Sequence, residues 1–155
     1  MINSIFRMAA IDSGNQLLAQ LGDEAWQHFE PDLEPVELTR GRTLQEAGAK
    51  LQYVYFPTSA VVSLVSAMRD GGSTEVAVVS NEGMVGVCAF MGGGTSLSDG
   101  VVQTSGHAWR MPAPALASHA ARHAAVMLPL LRYAQALFVQ QIGRASCRER
   151  VFSSV

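Results

Sequence analysis

Between residues 15 and 29 the apolar residues fall at helical spacing. Leu17, Leu18 and Leu21 share a face. Asp23 reads as an N-cap for a second helix, Glu24 to Phe29, which Pro31 stops. Trp26 and Phe29, three apart, give that helix an apolar face for core packing. From Pro35 the period drops to two. Val36-Glu37-Leu38 alternates, Thr43-Leu44 lies between Gly41 and Gly48, and Tyr53-Val54-Tyr55-Phe56 is closed by Pro57. Val61 to Met68 and Thr74 to Ser80 read as a hairpin around Asp70-Gly71-Gly72. Gly83 and Gly86 break the pattern, and Gly92-Gly93-Gly94 begins a loop. Two more strands, Val101 to Thr104 and His107 to Met111, flank Ser105-Gly106. Short strands at this spacing predict an all-β barrel, roll or sandwich.

After Pro112 the helical period returns. Leu116 to Val126 is alanine-rich, and Pro129 is expected to kink or restart the helix. Leu130, Leu131, Ala134, Leu137 and Phe138 then form one stripe, still in phase at Phe138. The stripe is wider than a small roll needs, so a paired helix is expected. From Ile142 the pattern stops at Ile-Gly-Arg-Ala-Ser-Cys-Arg-Glu-Arg-Val, which resembles one reading frame of a sequencing-adapter oligonucleotide. Residues 142–155 are therefore read as a non-native tail, set apart from the fold. The expected organisation is a helical segment over 1–34, a β-roll over 35–112, and C-terminal helices over 113–141 that end in a truncated dimerisation helix.

Charge narrows the partners. The chain carries 11 Lys+Arg and 13 Asp+Glu, a formal −2. The tail contributes +2 through Arg144, Arg148 and Arg150 against Glu149, so residues 1–141 carry −4. An acidic chain lacks the electrostatic footprint of a nucleic-acid binder, so any DNA contact is expected from a further domain. Charged residues are only 15% and hydrophobic ones 48%, which excludes a disordered chain. No apolar run approaches membrane-spanning length, and no secretory leader is expected. Outside the tail Cys88 stands alone, so no internal disulfide can form, and a reducing cytoplasm is expected. Cys88 reads as a small packed residue, with a redox-sensing role as the alternative.

The order of these segments resembles the CRP/FNR-type transcription regulators. Gly41-Arg42-Thr43-Leu44-Gln45-Glu46-Ala47-Gly48 is similar to their early turn. Tyr53 to Pro57 with Ser59 to Ser63 is similar to the next strand pair, and Glu82-Gly83-Met84-Val85-Gly86 to the entrance of their phosphate cassette. Val102-Gln103-Thr104, Arg110-Met111-Pro112 and Leu131-Arg132-Tyr133 continue the likeness, which covers about residues 15–141. The resemblance implies a cyclic-nucleotide-binding-like β-roll (a double-stranded β-helix or jelly roll) followed by a long amphipathic dimerisation helix. It also implies a homodimer, and a helix-turn-helix domain that lies beyond the segments read here.

The resemblance also implies a degenerate site at Gly83, Val85, Gly86, Val87 and Ser98. In cyclic-AMP-binding relatives a glutamate follows the cassette glycine and takes a ribose hydroxyl, and an arginine further on pairs with the phosphate. Aligned on Gly86, the glutamate position holds Val87 and the arginine position falls near Ser98. No arginine or lysine occurs between Arg69 and Arg110. A guanidinium fork is what grips a phosphate, so cyclic nucleotide binding is expected to be lost and the effector is unnamed. The amides of the Gly92-Gly93-Gly94-Thr95-Ser96 loop are a minor alternative anion cradle. No cofactor or metal is expected. A stand-alone regulatory or interaction domain without a DNA reader is the first alternative; a degenerate cupin-type enzyme is the second, but a cupin needs clustered histidines on strands. Only His107 lies in the roll; His119 and His123 sit on a helix with no following carboxylate. No catalytic constellation is present, so the chain is not expected to be an enzyme.

Overall fold

The computed structural model describes residues 9–153, with side chains for residues 9–143. Short helices α1 (Gln16–Ala19) and α2 (Asp23–Phe29) precede seven strands. The strands are β1 (Glu34–Leu38), β2 (Thr43–Gln45), β3 (Tyr53–Pro57), β4 (Val61–Ala67), β5 (Ser73–Val79), β6 (Asp99–Thr104) and β7 (Gly106–Pro112). Helices α3 (Ala113–Arg122) and α4 (Ala124–Ser153) follow. The strands form two antiparallel sheets, ordered β1-β7-β3 and β2-β6-β4-β5. Val54 and Phe56 from the first sheet, and Val62, Ala77, Val79 and Val102 from the second, are fully or almost fully buried in one core. The β-roll with flanking helices expected from the period change is the observed architecture. The hairpin turns at Asp70-Gly71-Gly72, where the Asp70 carboxylate accepts the Gly72 N–H.

Three local readings change. Gly22, not Asp23, is the N-cap of α2, and Asp23 lies in the first turn, where its charge suits the helix dipole. The expected helix from Leu116 to Val126 is interrupted at His123, which takes an extended conformation. The helix therefore restarts at Ala124, and Pro129 is carried, buried, inside α4. The backbone of α4 also stays helical past Ile142, through Ser153, where the sequence pattern had been read as stopping.

His119 and His123, weighed as chelating or solvated residues, instead pack on the N-terminal helices. His119 Nε2 lies 2.6 Å from Asp32 Oδ2. The His123 ring stacks on that of His28 at 4.7 Å between centroids. Among the described residues no group of three or more His, Cys, Asp or Glu could hold a metal. No helix among them is long and apolar enough to cross a membrane.

Candidate functional site

The segment from Gly83 to Phe90 is a tightly held corner of the roll. Val85 bridges Tyr55 of β3 through two backbone hydrogen bonds of 2.8 and 3.0 Å. That pairing presses the next residue against β3. Gly86 has φ +106°, and a Cβ there would lie 2.9 Å from Val54 Cγ1. Glycine is required on both counts. A 3-10 turn over Val87–Phe90 follows and turns Val87 inward.

Asn15 anchors the other end of the corner. Its buried amide nitrogen donates to the carbonyls of Pro57 (2.8 Å) and Gly83 (2.9 Å), and its Oδ1 accepts from the amides of Leu17 and Leu18. One side chain thus caps α1 and joins it to β3 and to the cassette. All four bonds are made, as a buried amide requires.

A cavity of about 90 Å³ lies beside this corner. Gly86, Val87 and Ser98, all expected at the site, line it together with Gln45, Met84 and Cys88. Gly83 and Val85, expected with them, are buried but do not line it. Leu137, Phe138 and Gln141 of α4 close the remaining side. No lining residue is charged. Burial raises the Cys88 thiol above its ordinary value, offset in part by a hydrogen bond to the Leu97 backbone, so the thiol stays protonated and weakly nucleophilic at neutral pH.

Gln45 and Gln141 were not legible as site residues. Gln45 stands in the sequence only as part of the early turn and Gln141 belongs to no motif, and only the closing of β2 and α4 over the corner brings them to it. Ser96, noted in sequence only as part of the glycine loop, is buried here, and its hydroxyl donates to the Ser98 carbonyl at 2.5 Å. The loop therefore turns polar groups on itself.

The stripe on α4 needs correction as to where its members point. Leu130, Ala134 and Leu137 are buried against the chain's own body. Leu131 is exposed and Phe138 is half-buried. The exposed apolar residues are Leu128, Leu131, Val139 and Ile142. At 100° per residue the buried set and the exposed set are centred about 135° apart around the helix. Five residues read as one stripe thus belong to two faces, and a charge at Leu137 would enter the core, not a seam.

Tyr133 joins α4 to the cassette directly. A Cβ on Gly83 would lie 2.2 Å from the Tyr133 ring, so the tyrosine covers that glycine. Its hydroxyl is buried without a hydrogen-bond partner among the described residues. Burial pushes its pKa well above the ordinary value near 10, and the nearby Glu82 carboxylate adds to the shift. The adjacent Met84 backbone offsets a little of it without a well-formed bond.

A raised folded-state pKa contributes stability that is full below the unfolded value, near 10, and is lost as pH rises toward the folded value. Above about pH 10 this one group should cost about 1.4 kcal/mol per pH unit. Tyr133→Phe is expected to lose stability less steeply than wild type between about pH 10 and 12. Urea midpoints measured across that range provide the check; parallel curves would contradict it.

The cyclic nucleotide-binding domain family matches residues 35–123. No curated protein sequence matches the chain. Among solved structures, the N-terminal domain of a transcriptional regulator from Streptomyces coelicolor A3(2) is 25% identical, with a TM-score of 0.60, covering 85% of this chain and 92% of that one. The regulatory subunit of a cAMP-independent protein kinase A from Trypanosoma brucei is 17% identical, with a TM-score of 0.68, covering 82% of this chain and 45% of that one. The catabolite activator protein of Thermus thermophilus is 14% identical, with a TM-score of 0.62, covering 90% and 63%. The chain thus spans less than half of the trypanosomal subunit and under two thirds of the Thermus protein. The family match takes in more than half of the chain, from β1 through the cassette to α3. The chain belongs to the cyclic nucleotide-binding domain family.

Proposed function

We propose that this chain is the sensory domain of a CRP/FNR-like transcription regulator, and that its signal is not a cyclic nucleotide. In this reading residues 35–112 sense, residues 113–141 transmit, and DNA is reached through a helix-turn-helix domain outside the described residues. The tail over 142–155 is foreign to it. The observation that carries the proposal is the double use of α4. One face, with Leu137, closes the cavity, and the face about 135° away carries Leu128, Leu131 and Val139 into solvent. Leu128, Leu131, Gln135 and Phe138 follow alternating steps of three and four, the spacing of a paired-helix seam. A ligand that moves Leu137 or Phe138 must therefore change how the outer face is presented to a second copy.

The cavity argues against a cyclic nucleotide on charge and on size. A phosphate monoanion there would meet no cation, and burying an unpaired charge is prohibitive. The volume is also well below the roughly 300–1,000 Å³ of ordinary ligand pockets. Titration calorimetry with cyclic AMP and cyclic GMP is expected to give no saturable heat at micromolar concentration. A one-to-one isotherm would overturn this part of the proposal.

The transmission step has its own test. Val87→Trp fills the cavity from the cassette side. Sedimentation is expected to show a dimer constant shifted at least about threefold, or about 0.6 kcal/mol, with the circular dichroism of a folded roll. A folded variant with an unchanged constant would sink the coupling. A second reading, a regulatory subunit acting on a partner protein, is favoured by the trypanosomal neighbour, named as cAMP-independent. It predicts the same silent calorimetry but places no helix-turn-helix in the intact gene.

A further inference from the structure

A second recess lies on the outside of the roll, at the seam between the two sheets. It is lined by β2, by the turn that leads from it, by the start of β3, and by Arg110 of β7. Its volume is about 390 Å³, within the range of ordinary small-molecule sites. It shares only Gln45 with the interior cavity.

Three cations from three separate segments border the groove: Arg42, Lys50 and Arg110. Glu46 is the one carboxylate in the lining. On a chain whose first 141 residues carry −4, this is a local reversal of sign. Arg110 is held rigidly. Glu34, its cross-strand neighbour, pairs with it from outside the lining. Its guanidinium carbon also sits 4.2 Å from the centroid of the Tyr53 ring. Arg42 and Lys50, by contrast, make no ion pair among the described residues. Two cations without an ion pair among the described residues therefore line one recess with Arg110, together with Tyr53 and Tyr55. Such an arrangement concentrates anions and favours a doubly charged head with a small organic body.

We propose that this groove is a binding site for a small phosphomonoester, with Arg42 and Lys50 contacting the phosphate and the Arg110–Tyr53–Tyr55 row positioning the body. The site is independent of the sensory reading above.

The test uses ribose 5-phosphate, with ribose as the uncharged control, followed by backbone amide shifts. Saturable one-to-one binding below about 1 mM is expected, with shifts centred on Arg42, Lys50 and Tyr53 and none with ribose. The double variant Arg42→Glu, Lys50→Glu is expected to weaken binding by at least about tenfold. Both side chains are exposed, so the fold should survive. Glu46→Gln is expected to tighten binding. Absence of saturation, unchanged affinity in the double variant, or shifts centred on Val87 to Ser98 would each overturn the assignment.

Discussion

Leu137→Glu should destabilise the chain by about 3 kcal/mol or more, while Leu131→Glu should leave folding within about 1 kcal/mol and break association instead. The two residues are six apart on one helix and look equivalent in sequence. Leu137 is 5% exposed and Leu131 is 42% exposed. A carboxylate at 137 would enter a cavity wall with no cation to meet it. One at 131 meets water in the monomer and its own twin in a symmetric pair. Each buried leucine contributes about 1.5–3 kcal/mol, and a two-fold seam loses two of them. The dimer constant of Leu131→Glu should thus weaken at least about tenfold. Urea denaturation and sedimentation on both variants separate the effects. A stable, monomeric Leu137→Glu would reverse the assignment of the two faces.

Gly106→Ala should be nearly as damaging, although it adds one methyl group. A Cβ there would lie 2.5 Å from the Ala60 amide nitrogen and 2.6 Å from the Ser59 carbonyl carbon. These are backbone atoms and cannot swing aside. They also belong to a wrapped turn in which the His107 carbonyl accepts the amides of Thr58, Ser59 and Ala60, while Ser59 Oγ accepts the His107 amide at 2.8 Å. Pushing the segments apart combines overpacking with loss of several hydrogen bonds, about 3 kcal/mol or more in total. Gly93→Ala is the control, since a Cβ there meets nothing closer than 3.9 Å. It should change stability by no more than about 0.5 kcal/mol. Equal urea midpoints for the two variants would contradict the steric account.

The strands were legible as short runs bounded by glycine turns, with β4 and β5 alternating in burial and β3 apolar throughout, while the roll itself was implied by the resemblance. Gly83 and Gly86 stood out because they break the strand pattern. Asn15 was not legible. Two of its four hydrogen bonds reach Pro57 and Gly83, 42 and 68 residues away, and no local pattern distinguishes it from a surface cap. The break at His123 was equally hidden, because alanine-rich sequence on either side of it favours helix and the extended residue is held by the stack on His28. On α4 the error had a different origin. Apolar residues on two faces about 135° apart merge, in sequence, into one broad stripe, and only burial separates them.

Phe138 sits where those two faces meet. It lines the interior cavity and also falls on the outward heptad spacing, half-buried. If its ring serves both, occupancy of the cavity and association of two chains are thermodynamically linked, and the factor by which one favours the other is the same in either direction. Ligand affinity would then have no single value. It would rise or fall with protein concentration, so a dilute assay and a crowded cell would report different constants for the same molecule.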